Sequence, residues 1–283
     1  MEYQECNLNE PFLAPLLQIE PGERPQCLWY QGEIPKKENR KVVAIVGSRR
    51  STTYGEDIAY KIAYNLAKMG VIIVSGLAYG IDSCAHRGCL DAGGITVAVL
   101  GTPIDKIYPR SNWSLAQRIL EKGAILSEYA PGSKTLAYHF LERNRIVSGL
   151  SNAVIIAEAA EHSGTMATAT YALKQSKELY VVPGDINRPN SKGCNKMLEN
   201  ANAYYDFDLF VKLALGMDSK KKRVAGLPVK QQQIADYIEQ GVKNGETIAQ
   251  NLNISIAEFN QLITLMELKD IVRPLGCNQW TLV

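Results

Sequence analysis

No apolar run in the chain approaches the roughly 20 residues that span a bilayer, so a membrane-crossing helix is not expected. The first residues, Met1 to Glu5, lack a basic segment followed by an apolar stretch, and no secretory leader is expected. Cysteine is sparse: Cys6, Cys27, Cys84, Cys89, Cys194 and Cys277 lie scattered along 283 residues with no C-x-x-C pair. That is too few for a disulfide scaffold, and a chain of this length can bury a core without staples. The expectation is a reduced, cytoplasmic protein. Cys84, His86 and Cys89 are close in sequence, but Cys84 and Cys89 would face different sides of a helix, so no metal site is expected. An excess of charge of one sign is also missing. Thirty-one Lys and Arg stand against 29 Asp and Glu, a net +2, which excludes a broadly cationic polyanion binder and leaves room only for a local patch. Repeats and low-complexity tracts are absent, and so is a G-x-S-x-G nucleophile elbow. The three histidines, His86, His139 and His162, show no triad order.

What the chain does have is rhythm. The 46% hydrophobic fraction excludes wholesale disorder. Residues 1–40 are polar and proline-rich, with anchors at Phe12, Leu16, Leu17, Ile19, Leu28 and Trp29, and read as a lead-in that packs on a main domain. From Lys41 the pattern changes. Val42-Val43-Ala44-Ile45-Val46 is a β-branched run ending at Gly47, the mark of a strand buried on both faces. Further strands are expected near 71–74, 95–100, 124–127, 153–157 and 178–182. Helices are expected near 55–69, 80–92, 112–122, 139–149, 164–175 and 206–215. Strand, crossover helix, strand at this pitch gives an α/β fold: a Rossmann-like, doubly wound, mostly parallel sheet over residues 41–215. Residues 216–227 contain Lys220, Lys221, Lys222 and Arg223 and read as a basic linker. Residues 228–283 hold three helical patterns and two short apolar strands, the order of a small winged-helix-like α+β domain.

In an open parallel sheet, ligands bind outside the carboxyl ends of the strands. Those ends carry Gly47-Ser48-Arg49-Arg50, Ser75-Gly76 to Gly80, Gly101-Thr102, Ser127-Glu128 and Ser163-Gly164-Thr165. Glycine allows close backbone approach, and hydroxyls with free helix N-termini suit phosphate oxygens. Such residues also simply turn and cap, but their recurrence in six loops on one rim, Pro183-Gly184-Asp185 being the sixth, points to an anion site, with Ser75, Gly76, Gly80, Ser163, Gly164 and Thr165 as possible phosphate contacts. The Gly47-Ser48-Arg49 turn is not the G-x-G-x-x-G fingerprint, which disfavours NAD; no cofactor is expected. Arg49 and Arg50 offer guanidinium forks to phosphate, or form ordinary ion pairs. A second basic element is Phe140, Arg143, Asn144 and Arg145. A ring beside guanidinium groups suits single-stranded nucleic acid; alternatively Phe140 is core and one arginine pairs with Glu128 or Glu158. Arg143 and Arg145 cannot share one helix face, so one of them is expected to be structural.

Taken in order, Ile45-Val46-Gly47-Ser48-Arg49, Val74 to Asp82 with Ala85-His86, Ala98 to Gly101 with Tyr108-Pro109, Leu126 to Tyr129, Phe140 to Arg145 and Val182-Pro183-Gly184 resemble the DNA-processing protein DprA (Smf) family. The resemblance implies a homodimeric protein that binds single-stranded DNA during natural transformation, protects incoming strands and loads RecA recombinase, displacing single-strand-binding protein. It also implies that Gly47, Ser48 and Arg49 border the DNA pocket opposite Phe140, Arg143 and Asn144, and that the protein is not an enzyme. This chain departs from the family where relatives carry lysine shortly before the phenylalanine: here the stretch is Leu136-Ala137-Tyr138-His139, and Lys134 is the nearest basic residue. Leu141 stands where proline is usual. Tyr171, Leu209 and Phe210 are candidate dimer contacts, with core packing as their other reading. An alternative from another class is a nucleotide-binding phosphoribohydrolase-like enzyme of related fold, although its fuller Pro-Gly-Gly-x-Gly-Thr block is absent. The end domain, with four basic against six acidic residues, has Glu258 and Glu267 on its candidate recognition helix, and is expected to contact protein and not duplex DNA.

Overall fold

Six strands that are apolar on both faces dictate the architecture, because each must be covered above and below. The computed structural model of the chain describes residues 3–36, 40–218 and 226–282. They fall into two compact units, Met1–Leu215 and Gly216–Val283. The first unit alternates β3 (Val42–Gly47), α1 (Thr53–Lys68), β4 (Ile72–Ser75), α2 (Ile81–Asp91), β5 (Thr96–Leu100), α3 (Trp113–Leu120) and β6 (Ala124–Ser127). It continues through α4 (His139–Glu142), α5 (Asn144–Leu150), β7 (Ala153–Glu158), α6 (Thr165–Lys174), β8 (Glu178–Val181), α7 (Pro189–Met197), β9 (Asn202–Ala203) and α8 (Phe207–Leu215). Every residue of β3, β4, β5, β6 and β7 is buried. This is the doubly wound α/β sheet expected from the strand spacing.

The lead-in does more than pack. It supplies β1 (Gln4–Cys6) and β2 (Leu28–Gly32), and β2 joins β6 antiparallel, pairing Tyr30 with Leu126. Phe12, Leu16, Ile19 and Leu28 are buried in the core, whereas Leu17, read as an anchor, is 39% exposed. The nine strands run in the order β1-β2-β6-β5-β4-β3-β7-β8-β9. From β3 the chain winds outward to β6, then crosses back through α4 and α5 to place β7 on the other side of β3. The order therefore reverses between β3 and β7, and that reversal opens a crevice at their carboxyl ends. Phe210 is buried, edge-on to Tyr180 at 4.8 Å, so its core reading holds.

α2 is fastened to the sheet from inside by His86, one of its own residues. Thr96 Oγ1 donates to the Ile73 carbonyl and so accepts from His86 Nδ1, 2.7 Å away, which leaves Nε2 unprotonated and without a partner. In the second unit, α9 (Val229–Glu239), α10 (Gly245–Asn251) and α11 (Ile256–Leu268) precede the antiparallel strands β10 (Val272–Gly276) and β11 (Gln279–Leu282). Asn244 caps α10, and Ser255 caps α11 by accepting from the Glu258 amide. The core of this unit is Ile234, Ile238, Ile248, Phe259, Ile263 and Met266. The basic residues Lys220 to Arg223 lie outside the described residues. Among the described residues, no helix is long and apolar enough to cross a membrane.

Candidate nucleic-acid interface

At the reversal of strand order the first unit carries a cleft of about 740 Å³. One wall is the loop after β3. Ser48 donates its amide to the Glu158 carbonyl at 2.7 Å and accepts from the Ile81 amide at 3.3 Å, while its hydroxyl accepts from the Arg50 amide. Asn190 holds the Arg50 carbonyl at 2.8 Å. The backbone is thereby fixed, and both Arg49 and Arg50 extend from it as exposed side chains. Gly80, at φ +72°, lets the loop after β4 pass close to Ser48; a Cβ there would stand 2.4 Å from the Ser48 carbonyl oxygen.

The opposite wall is the crossover before β7. His139 stacks on Tyr129 with ring centroids 3.7 Å apart and anchors α4. Phe140, half-buried, then faces the cleft, with the Arg49 guanidinium carbon 5.2 Å from its ring centroid, a cation–π distance. Asn144 reaches the Gly164 carbonyl at 3.3 Å and ties this wall to the start of α6.

The two remaining arginines are internal. Arg145 gives both Glu128 carboxylate oxygens a bond at 2.8 Å, which realises the ion-pair reading for that residue. Arg143 is buried as well: Nη1 donates to the Gly76 carbonyl at 2.6 Å and to the Val99 carbonyl, and Nε donates to Asn144. A Cβ on Gly76 would meet that guanidinium at 2.4 Å, so glycine is what admits it. Asp82 lies in the same buried knot and accepts from the Gly76 and Ala78 amides at 3.1 and 3.4 Å. Burial pushes its carboxyl above the ordinary range, against the pull of Arg143, those amides and Arg49. Burial also lowers Arg143 to about 10.

Gly47, Ser48, Arg49, Arg50, Gly76, Phe140, Arg143, Asn144, Ser163, Gly164 and Thr165 are thus brought to one cleft. Ser75 is not among its lining residues; its hydroxyl is buried on the Ile45 carbonyl. Gly80, Arg145 and the exposed Lys134 also stand off the lining, to which Ala137 contributes.

Two of the glycine-rich loops are already filled by the chain's own carboxylates. Glu158 sits at the N-terminus of α1, accepting from the Thr52 amide and hydroxyl at 2.8 Å each, and Asp82 occupies the amides after β4. α6 is different. It starts at Thr165 without a side-chain cap or an acidic residue in its first turn, and Ser163 Oγ is a buried atom without a partner. Positive potential in the cleft is concentrated there and at Arg49 and Arg50. Sequence reading named neither Tyr79 nor Tyr108 as a binding residue, because a tyrosine in a loop has no periodic signal; both line a small crevice that adjoins the cleft. A second hollow of about 740 Å³ in the lead-in is lined by one basic residue, Arg24, one acidic residue, Glu5, and no aromatic ring, and offers no comparable chemistry.

The description DNA recombination-mediator protein A belongs to the family whose model matches residues 9–212. Protein Smf of Escherichia coli is 43% identical over 170 residues, covering 60% of this chain and 45% of its own length. DNA processing protein DprA of Streptococcus pneumoniae is 39% identical over 177 residues, 62% of each chain. The chain thus spans about half the length of the curated relatives it matches. Two solved structures are similar. That of DprA from Streptococcus pneumoniae has a TM-score of 0.68 at 33% identity, covering 76% of this chain and 75% of that one. DNA processing protein A from Helicobacter pylori, described for its unique single-stranded DNA binding mode, has a TM-score of 0.67 at 32% identity, covering 76% and 97%.

Proposed function

The chain belongs to the DNA recombination-mediator protein A family, and from that premise we propose that its cleft binds single-stranded DNA. The observation that carries the proposal is the pairing of an exposed arginine with an aromatic ring at the topological reversal, Arg49 over Phe140, beside the uncapped start of α6. Arg49 and Arg50 take backbone phosphates, and the α6 amides with Ser163 and Thr165 take a neighbouring one. Phe140 presents the rest of its ring to a base in the cleft. The binding is local, as a net charge of +2 requires. On the same reading the protein acts as a homodimer in natural transformation, shields entering strands, displaces single-strand-binding protein and loads RecA recombinase. The acidic end domain, residues 228–283, serves protein contacts and not duplex reading.

The enzymatic alternative finds less support. Among the described residues Asp82 is the one carboxylate lining the cleft, and its Oδ2 is committed to two backbone amides, where it braces a loop and does not face a substrate.

Fluorescence anisotropy with labelled single- and double-stranded oligonucleotides over a salt series tests the proposal. Single-strand affinity is expected to fall with salt by about 0.7 in log–log slope per phosphate held, and Arg49→Ala to lower both affinity and slope. Unchanged affinity and slope in Arg49→Ala, or base release from a nucleoside monophosphate without strand binding, overturns it.

A further inference from the structure

We propose that Tyr79 and Tyr108 form a second base-stacking subsite, a shelf outside the cleft that receives the nucleotide on the far side of the phosphate held by Arg49. The inference rests on the single-strand reading above and adds a ligand-binding surface to it.

The starting point is that Phe140 is partly engaged already. One approach to its ring carries the Arg49 guanidinium at 5.2 Å, and Tyr108 lies against it at 5.3 Å with the planes tilted by 56°. A base entering the cleft therefore finds only part of that ring. Tyr79 and Tyr108, by contrast, are 49% and 48% exposed. A single exposed tyrosine needs no explanation. Here three rings from three separate crossovers, after β4, after β5 and on α4, surround one crevice together with Arg49.

The crevice between them holds about 30 Å³, far less than a nucleobase needs, so the rings act through their outer faces and not as a slot. Arg49 lines both the crevice and the main cleft, which puts its guanidinium between the two base positions. A strand whose phosphate sits on Arg49 thus has one base in the cleft and the next above the tyrosines.

The shelf is also prepared in advance, which lowers the ordering cost of binding. Asn112, four residues beyond Tyr108, donates to the Leu77 and Ala78 carbonyls at 2.9 and 3.3 Å and to Ser83 Oγ at 2.9 Å, pinning the Tyr108 loop to the Tyr79 loop. Beneath them Arg143 ties the Gly76 carbonyl to that of Val99. Two tyrosines held this way by backbone contacts are stiff stacking faces that tolerate any base.

The test compares two probes of equal length and charge: a fluorescently labelled deoxythymidine 15-mer, and the same strand with its central bases replaced by abasic sites. The proteins are the parent chain, Tyr79→Ala, Tyr108→Ala, the double variant, and the two Tyr→Phe variants, each checked for an unchanged melting temperature. The expected result is a roughly tenfold loss for each alanine variant on the thymidine strand. Little or no loss is expected on the abasic strand, the salt slope should match the parent's, and phenylalanine should restore binding. Alanine variants that bind the thymidine strand like the parent overturn the shelf while leaving the cleft intact. Losses that are equal on both probes, or that come with a smaller salt slope, overturn it too, since the tyrosines then serve the backbone or the fold. A parent chain that binds neither probe removes the single-strand reading itself.

Discussion

Arg143 stands within a motif that suggests a DNA ligand, yet its geometry makes it an internal brace, and Arg143→Met separates the two roles. Removing the guanidinium leaves the Gly76 and Val99 carbonyls without their donor in a buried setting, at about 1–3 kcal/mol for each orphaned group. It also takes from Asp82 the cation that contributes most to offsetting its burial, and stripping one partner from a buried charge costs about 3–5 kcal/mol. These costs are not additive, because Asp82 can escape by taking a proton. A total of about 4 kcal/mol is the reasonable expectation, which in a unit of this size lowers the melting temperature by roughly 8–16 °C. The pH dependence has a definite sign. A carboxyl raised in the folded state binds a proton that the unfolded chain does not, so stability falls as pH rises from the ordinary carboxylate range through the raised value. Losing Arg143 raises Asp82 further, so the deficit against the parent is largest at neutral pH and shrinks toward pH 4. Arg49→Met is the control: it is exposed, and should melt within about 0.5 kcal/mol of the parent while losing strand affinity. Thermal and urea melts at pH 7 and pH 4, paired with anisotropy, read both. If Arg143→Met melts like the parent but loses affinity and salt slope, Arg143 holds phosphate and the brace is wrong.

Gly76→Ala places a Cβ 2.4 Å from the same guanidinium and should destabilise through the same knot; in the double variant with Arg143→Met, urea unfolding should show well under the sum of the single losses. Glu128→Gln removes the carboxylate held by Arg145, a pair only 21% and 11% exposed, and should cost about 2–4 kcal/mol, with strand affinity and salt slope at parent values measured well below the melt. Burial pushes His86 down to about 3, while the unfolded chain takes up that proton near 6.5. Stability therefore drains away as pH falls from about 6.5 toward 3, and a pH series of urea unfolding on His86→Gln should show that limb shallower by about one proton.

The parallel sheet was legible because its signal is strong: a strand buried on both faces has to be written in apolar residues. Val42–Gly47 is read without ambiguity. β2 was missed because Leu28–Gly32 is an antiparallel strand lying among prolines, where three of its five residues are only half-buried and the periodicity is weak. α7 was missed for a related reason. Pro189-Asn190-Ser191-Lys192-Gly193 reads as a loop, and becomes helical because Pro189 suits the first turn while Ser191, Gly193 and Cys194 pack inward. In the site, loop chemistry pointed to the correct rim but could not tell which glycine-rich turns were empty. Glu158 lies 106 residues from the Thr52 it caps, and Asp82 turns back on its own loop. Such occupancy is a tertiary fact.

The carboxylate at the head of α1 has a consequence for small ligands. In a Rossmann-type sheet that helix terminus is where a dinucleotide would place its pyrophosphate. Glu158, fixed to the end of β7, is a resident competitor whose effective local concentration exceeds what a freely diffusing nucleotide at millimolar levels can match. The head of α1 is thus already occupied by the protein's own carboxylate. On the proposed single-strand reading, a long strand would reach past it, because its phosphates arrive tethered to one another: each contact made at Arg49 would raise the local supply for the next, at the start of α6. On that reading polymer is favoured over monomer, with no base-specific contact required to make the distinction.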